Sequence, residues 1–200
     1  LKEWFKKVKS KRLNLHMEKY NKLPPAKIKV ETVTTLKPGD LEDLCDSTEL
    51  AIIEGGGFGW INVPARKILE NYWKGVIAIP ERELIIGRLD NVVAGSCQII
   101  KPSKNNEAQK DTCLLTTFFL APWARGYGIS PKLIVFAEEQ AIKHSFSVIT
   151  LDVRETQHRA IEIYEQNDYK KFGENPFYAT VEDKYVKGIY YYKTLKKMKD

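Results

Sequence analysis

Two stretches of the chain each run from an apolar strand into a helix: Thr112–Leu120 toward Pro131–His144, and Ser147–Val153 toward Gln157–Asn167. Nothing else in the sequence constrains the fold as much. Strands that both lead into helices are joined by a crossover, which turns them parallel in one sheet. Leu133, Phe136, Ala137 and Ala141 fall on one side of the first helix, and Ala160, Ile161 and Ile163 mark the second. The upstream pieces are of another kind. Lys27–Leu36 alternates through Ile28, Val30 and Val33, and Glu83–Asp90 and Val92–Lys101 are strands joined by Leu-Asp-Asn, a hairpin signal. Helical stretches follow the Pro38-Gly39-Asp40 turn as far as Glu54, and Pro64 as far as Lys74. Tyr169–Gly173 and the aromatic Lys187–Leu195 close the chain as strands, the latter pairing antiparallel. Antiparallel strands first and a strand-helix-strand-helix unit later predict one α/β domain built on a mixed sheet.

The first of these junctions, FLAPWARGYGISPKL over 119–133, places two glycines between strand and helix. That arrangement suits a phosphate, because a helix N-terminus offers unpaired N–H groups and a partial positive charge. Glycine lets backbone approach an anion with no Cβ in the way. Ser130 is a suitable capping residue, and Pro131 is tolerated in a first turn. Two familiar loops are excluded. A nucleotide P-loop needs Gly-Lys-Ser/Thr after its glycines, and a dinucleotide fingerprint starting at Gly126 needs a third glycine where Pro131 stands. The other glycine run, EGGGFGW over 54–60, follows no clear strand and reads as a mobile loop.

Composition narrows the rest. At 200 residues with 43% hydrophobic content, the chain has enough for a single sizeable core, and no run reaches the roughly 18 apolar residues of a membrane span. Cys45, Cys97 and Cys113 are odd in number and far apart, as reduced buried thiols of a cytoplasmic protein would be. His16, His144 and His158 are scattered, so no metal site is expected. Residues 1–30 hold ten Lys/Arg against two Glu, which leaves the other 170 residues at −2 within a total of +6. Residues 1–26 therefore read as a basic arm, helical by the spacing of Leu1, Trp4, Phe5 and Val8, ahead of a domain over 27–200. The arm suits RNA, an acidic partner or a membrane surface, or it is a solvated helix packing Trp4 and Phe5 on the domain. It is no basis for a nucleic-acid function.

Pro122, Arg125, Gly128 and the small Ser130 together resemble the Arg/Gln-x-x-Gly-x-Gly/Ala signature of the GCN5-related N-acetyltransferases, the GNAT family. LDVRETQHRAIEIYEQNDY, residues 151–169, is similar to that family's later block, and Tyr-Tyr-Lys-x-Leu to its last strand. The resemblance implies a single-domain, mostly antiparallel sheet with a central parallel strand pair flanked by helices. It also implies direct transfer of acetyl from acetyl-coenzyme A to an amine. Three departures stand out: Ser130 for Gly or Ala, Gln157 for Asn, and Asp168-Tyr169 for Gly-Phe.

By the same resemblance, Phe118, Phe119 and Leu120 meet the thioester and pantetheine arm. Arg125, Gly126, Tyr127, Gly128, Ile129, Ser130 and Pro131 hold the pyrophosphate, with Gln157 beside them. Tyr164 falls on the tyrosine that protonates the departing sulfur, although its spacing from Ala160 and Ile161 equally suits a core aromatic. LDVRETQ resembles the LEVRxxN segment of bacterial enzymes that acetylate the N-terminal alanine of a ribosomal protein, which points to Asp152 as base. An Asp there can also pair with Arg154. Glu54 is expected to face the acceptor. LDVRETQ favours a peptide N-terminus as acceptor, whereas a longer N-terminal half carrying Trp60, Tyr72 and Trp73 suits a different amine. The partners so implied are acetyl-coenzyme A and a small-molecule or protein amine. A homodimer is compatible with the chain.

Overall fold

The structure of the protein is a computed structural model that describes residues 25–56 and 59–195. The predicted arm lies outside the described residues as far as residue 24. Seven strands and four helices follow in the order β1 (Ile28–Val33), α1 (Asp40–Ile53), α2 (Arg66–Ala78), β2 (Arg82–Leu89), β3 (Val92–Ile100), β4 (Thr112–Leu120), α3 (Ile129–Lys143), β5 (Val148–Arg154), α4 (His158–Gln166), β6 (Lys170–Val181) and β7 (Lys184–Thr194). The strands form one sheet ordered β1-β2-β3-β4-β5-β7-β6. Only β4 and β5 pair in parallel, and every other neighbour is antiparallel. The mixed, mostly antiparallel sheet with a central parallel pair is the one expected.

Each face of the sheet carries its own core. Ile85, Ile99, Leu115, Ile149 and Leu151 pack with Leu133, Ile134, Ala137 and Ala141 of α3 and with Ile163 of α4. On the opposite face Leu84, Ile86 and Val93 pack with Leu44 and Ile52 of α1 and with Leu69, Trp73 and Val76 of α2. This explains why β2 reads as a continuous apolar run rather than an alternation: helices cover both of its faces. Trp73 is fully buried, and its Nε1 donates to Thr48 Oγ1 at 3.2 Å. The three cysteines are free and buried.

Tight turns close the hairpins. Asp90-Asn91 and Glu182-Asp183 both take positive φ, as two-residue hairpin loops require. Asp168, where the resembling family has glycine, sits at φ 63°, a left-handed conformation that Asp tolerates, so that turn keeps its shape. α2 runs to Ala78, past the predicted Lys74, and β7 begins at Lys184, ahead of the predicted Lys187, but the largest departure is β6. The strand predicted to stop at Gly173 continues through Asn175-Pro176 to Val181. It survives its proline because β6 is an edge strand whose ladder with β7 is interrupted there. Among the described residues no helix is long and apolar enough to cross a membrane.

Candidate active site

β4 and β5 pair only at Thr112–Leu114 against Val148–Thr150. β4 continues to Leu120 against β3, and β5 to Arg154 against β7, so the two strands part in the middle of the sheet. A bulge marks the parting. Between the pairs Ser96–Phe119 and Gln98–Thr116, β3 has one residue and β4 has two, Thr117 and Phe118. Thr117 takes φ 52°, an unusual conformation for a β-branched residue, and bulges of this kind re-aim side chains beside binding sites.

Two cavities flank the parted strands. One, of about 580 Å³, is bordered by the end of β4, the glycine loop, the first turn of α3 and one face of α4. The other, of about 650 Å³, holds Trp60, Tyr72, Asp152, Tyr164 and Tyr178. Phe118, Gln157 and Ala160 line both, so the cavities meet at the bulge.

The first cavity suits an anion. A short 3₁₀ turn, Pro122–Ala124, brings the chain to Arg125, and Gly126 and Gly128 follow with φ of 84° and 77°. An added Cβ at either glycine meets nothing within 4 Å, so it is the left-handed backbone, not crowding, that asks for glycine. Gly128 is the N-cap of α3 and no side chain caps it, so the first-turn amides are left for a ligand. Ser130, expected to cap, is instead the second helical residue. A glycine in the left-handed conformation makes the entry without a hydroxyl, and the helix begins earlier. Ile129, Ser130 and Pro131 border the groove, as do Phe119 and Leu120. Phe119 also turns onto Trp73 at 6.2 Å between ring centroids. Tyr127 lines neither cavity and is 49% exposed.

Side chains from β5 and α4 tie this groove to the loop after α1. Gln157 Nε2 donates to the Gly55 carbonyl, and Arg154 Nη2 donates to the carbonyls of Gly56 at 2.6 Å and Gly55 at 3.3 Å. The Asp152–Arg154 pair that the sequence allows is not formed, because the guanidinium is turned to these carbonyls. Glu54 pairs with Arg125 at 2.5 Å and borders the groove of the glycine loop, not the cavity that holds Asp152 and Tyr164.

The second cavity gathers the candidate acid and base. Tyr164 is buried, with ring centroids 5.6 Å from Phe118, 5.7 Å from Tyr169 and 6.3 Å from Tyr191, so it both packs in the core and lines the cavity. Burial pushes its hydroxyl well above the ordinary phenol pKa, and Cys97, Asp152 and Tyr178 push the same way. Asp152 accepts a hydrogen bond at Oδ2 from the Tyr178 hydroxyl. Tyr178 is itself raised, first by burial and then by that carboxylate. Tyr72, which lines this cavity, is held from behind: Arg82 Nη1 donates to Gln98 Oε1 at 2.8 Å and Gln98 Nε2 to the Tyr72 hydroxyl at 3.0 Å. Tyr72 lies 3.4 Å from Thr117 Oγ1 and edge-on to Trp60 at 5.1 Å. Sequence reasoning missed Tyr178 and the bulge at Thr117. The glycine at 188, over which Tyr178 lies, was the one local signal. Among the described residues no group of three or more His, Cys, Asp or Glu is placed to hold a metal ion.

Comparison with known proteins agrees with this fold. A solved N-acetyltransferase from Staphylococcus aureus Mu50 superposes with a TM-score of 0.72 at 15% identity, covering 85% of this chain and 99% of that one. The structure of yncA, a putative acetyltransferase from Salmonella typhimurium with its cofactor acetyl-CoA, gives 0.69 at 10% identity, covering 88% and 96%. At such identities the likeness is one of fold. A curated relative from Azospirillum brasilense, an uncharacterized N-acetyltransferase encoded in the hisH-hisA intergenic region, is 56% identical over 132 residues, 66% of this chain and 79% of that protein. The model of the acetyltransferase (GNAT) family matches residues 57–169, more than half of the chain. The protein thus belongs to the acetyltransferase (GNAT) family.

Proposed function

We propose that the protein is a cytoplasmic enzyme that transfers acetyl from acetyl-coenzyme A directly to a primary amine. The observation that carries this reading is the meeting of the two cavities at Phe118, Gln157 and Ala160, where β4 and β5 part. An anion-binding groove ends there, and a chamber holding a carboxylate and a phenol begins. The groove fits a pyrophosphate through the first-turn amides of α3, the left-handed Gly126 and Gly128, and Arg125. Acetyl-coenzyme A supplies the acetyl group as an activated thioester.

The residues then divide the proton work. The acceptor enters as an ammonium, and Asp152 takes one proton from it. The neutral nitrogen forms the new C–N bond at the thioester carbon as the C–S bond breaks. The nitrogen's remaining extra proton ends on the sulfur, which leaves an amide and a free thiol. Tyr164, whose raised pKa keeps it protonated, donates a hydrogen bond to the departing sulfur. An unperturbed thiol has a pKa of about 8.5, so Tyr164 solvates the thiolate and passes this proton on rather than losing its own for good. In this reading the peptide N–H groups of the bulged Thr117–Phe118 segment serve the thioester oxygen.

The test is incubation of the purified protein with acetyl-coenzyme A and a panel of phenethylamine, putrescine, free amino acids and an alanine-first tetrapeptide. The expected result is saturable thiol release matched by acetylated product in the mass spectrum for at least one panel member. Thiol release without amide product, or no saturable binding of acetyl-coenzyme A, removes the reading.

A further inference from the structure

Three features of the β6–β7 hairpin converge on one hydroxyl. First, the ladder between β6 and β7 steps from Asn175–Gly188 to Ala179–Val186, so β6 carries two more residues than its partner across Pro176, Phe177 and Tyr178. Such a bulge lifts a side chain off the strand's normal alternation. Second, β6 lies two places from β5, with β7 between them, and β7 offers Gly188 at the crossing point. A Cβ at Gly188 would sit 2.3 Å from the Tyr178 ring, so only glycine lets the ring lie across β7. Third, the hydroxyl so delivered donates to Oδ2 of Asp152 on β5, inside the 650 Å³ cavity. Tyr190, the partner of Asp152 on β7, stands edge-on to the Tyr178 ring at 6.3 Å and holds it from the side.

From these three observations we propose that Tyr178 is a positioning residue for the acetyl transfer. It acts through Asp152, engaging one carboxylate oxygen so that the other is presented to the incoming ammonium. This rests on the proposed role of Asp152. The chemistry gives the hydroxyl a definite task. A free aspartate rotates about χ2, which is broad and two-fold, and presents either oxygen in many directions. A donor fixed by a bulge on one strand and a glycine notch on the next leaves one orientation. A hydrogen bond to a charged group contributes about 1.5–3 kcal/mol, which corresponds to roughly ten- to hundredfold in rate when it operates in the reaction.

A double-mutant cycle tests the assignment, using the panel member that gives the wild-type enzyme its highest kcat/KM. Tyr178→Phe keeps the ring and removes only the hydroxyl. It is expected to lower acceptor kcat/KM about tenfold or more, while the dissociation constant for coenzyme A and the unfolding midpoint stay close to wild type. In an Asp152→Asn background the same change is expected to cost less than about twofold, because the base that the hydroxyl positions is already gone. Gly188→Ala, which forces the ring aside, should reproduce the Tyr178→Phe loss; if it does not fold, the cycle alone decides. Additive losses, or a full rate in Tyr178→Phe, overturn the role of Tyr178 while leaving the acetyl transfer intact. A full rate in Asp152→Asn overturns it as well. A wild-type enzyme that acetylates no panel member instead overturns the proposed reaction.

Discussion

A phenol buried as Tyr164 is keeps its proton far into alkaline pH, because the phenolate would lose its water and face Cys97, Asp152 and Tyr178. Such a group is a dependable hydrogen-bond donor but a poor source of a free proton, which suits a thiolate that needs holding until the nitrogen's proton arrives. Tyr164→Phe is therefore expected to lower turnover about ten- to hundredfold, the worth of one hydrogen bond to a charged sulfur. The affinity for acetyl-coenzyme A should barely change, since the groove is built from the glycine loop and α3. Steady-state kinetics beside calorimetric titration checks this, and equal turnover in both proteins would take Tyr164 out of the mechanism. Tyr164 and Asp152 came forward as candidates from the sequence because each sits in a contiguous motif close to Gln157, and both line one cavity. Tyr178 was not, since its meaning depends on Asp152, 26 residues earlier, and on a bulge that alternation does not reveal. The surroundings of Glu54 were hidden for a similar reason. Its position beside a glycine run suggested the acceptor, yet only the fold shows it lying against Arg125, 71 residues away.

At the level of elements, the strand and helix positions followed the apolar periodicity closely, and the errors fell where a turn signal was overruled. The strand read as ending at Gly173 runs on through Asn175-Pro176, which an edge strand can absorb as a bulge. Polar glue between elements was also invisible. Arg88 on β2 donates to both carboxylate oxygens of Asp40 at 2.8 and 2.9 Å, and its Nε reaches Glu31 on β1 at 2.7 Å. The Arg88 and Asp40 side chains are only 7% and 4% exposed, so this cluster fastens the start of α1 to the sheet. Asp40 is held below the ordinary carboxylate range. Burial opposes that, but the hydrogen bonds from Arg88 and the Lys37 amide prevail. Glu31 is lowered to about 2, first by Lys29 and then, against burial, by Arg88. Groups lowered in this way stabilise the fold fully above their unfolded pKa of about 4, and the contribution is lost as pH falls through their folded values. Asp40→Ala leaves the buried guanidinium with only Glu31 and the Asn91 carbonyl as partners and is expected to cost about 1.5–3 kcal/mol in urea unfolding at neutral pH. The gap between wild type and variant should narrow from pH 5 toward pH 2. A gap that stayed constant with pH would show that the loss came from packing alone.

The molecule as a whole is a sheet in two parts. β1–β4, with α1 and α2, and β5–β7 are joined across the sheet by three ladder pairs between β4 and β5, with α3 and α4 packed behind. The gap that weakens the sheet is also the place where the two cavities meet, so a ligand lying there joins the halves that the missing ladder leaves apart. Binding should then show in stability and in its distribution along the chain. Acetyl-coenzyme A at about 100 times its dissociation constant adds roughly 2.7 kcal/mol to the folded state. For a chain of this size that raises the unfolding midpoint by about 5–10 °C. The more searching measurement is amide hydrogen exchange with and without the ligand. Protection is expected over residues 115–120 of β4, where the ladder to β5 has ended, and over residues 126–131 at the entry to α3. The β2–β3 hairpin turn at Asp90-Asn91, which lines neither cavity, should exchange as before. Uniform slowing over the whole domain would mean that the ligand acts only through global stability. Protection confined to the α3 entry, with none along β4, would mean that the pyrophosphate binds while the thioester never enters the gap, and the place assigned to Phe118 at the junction of the two cavities would have to be given up.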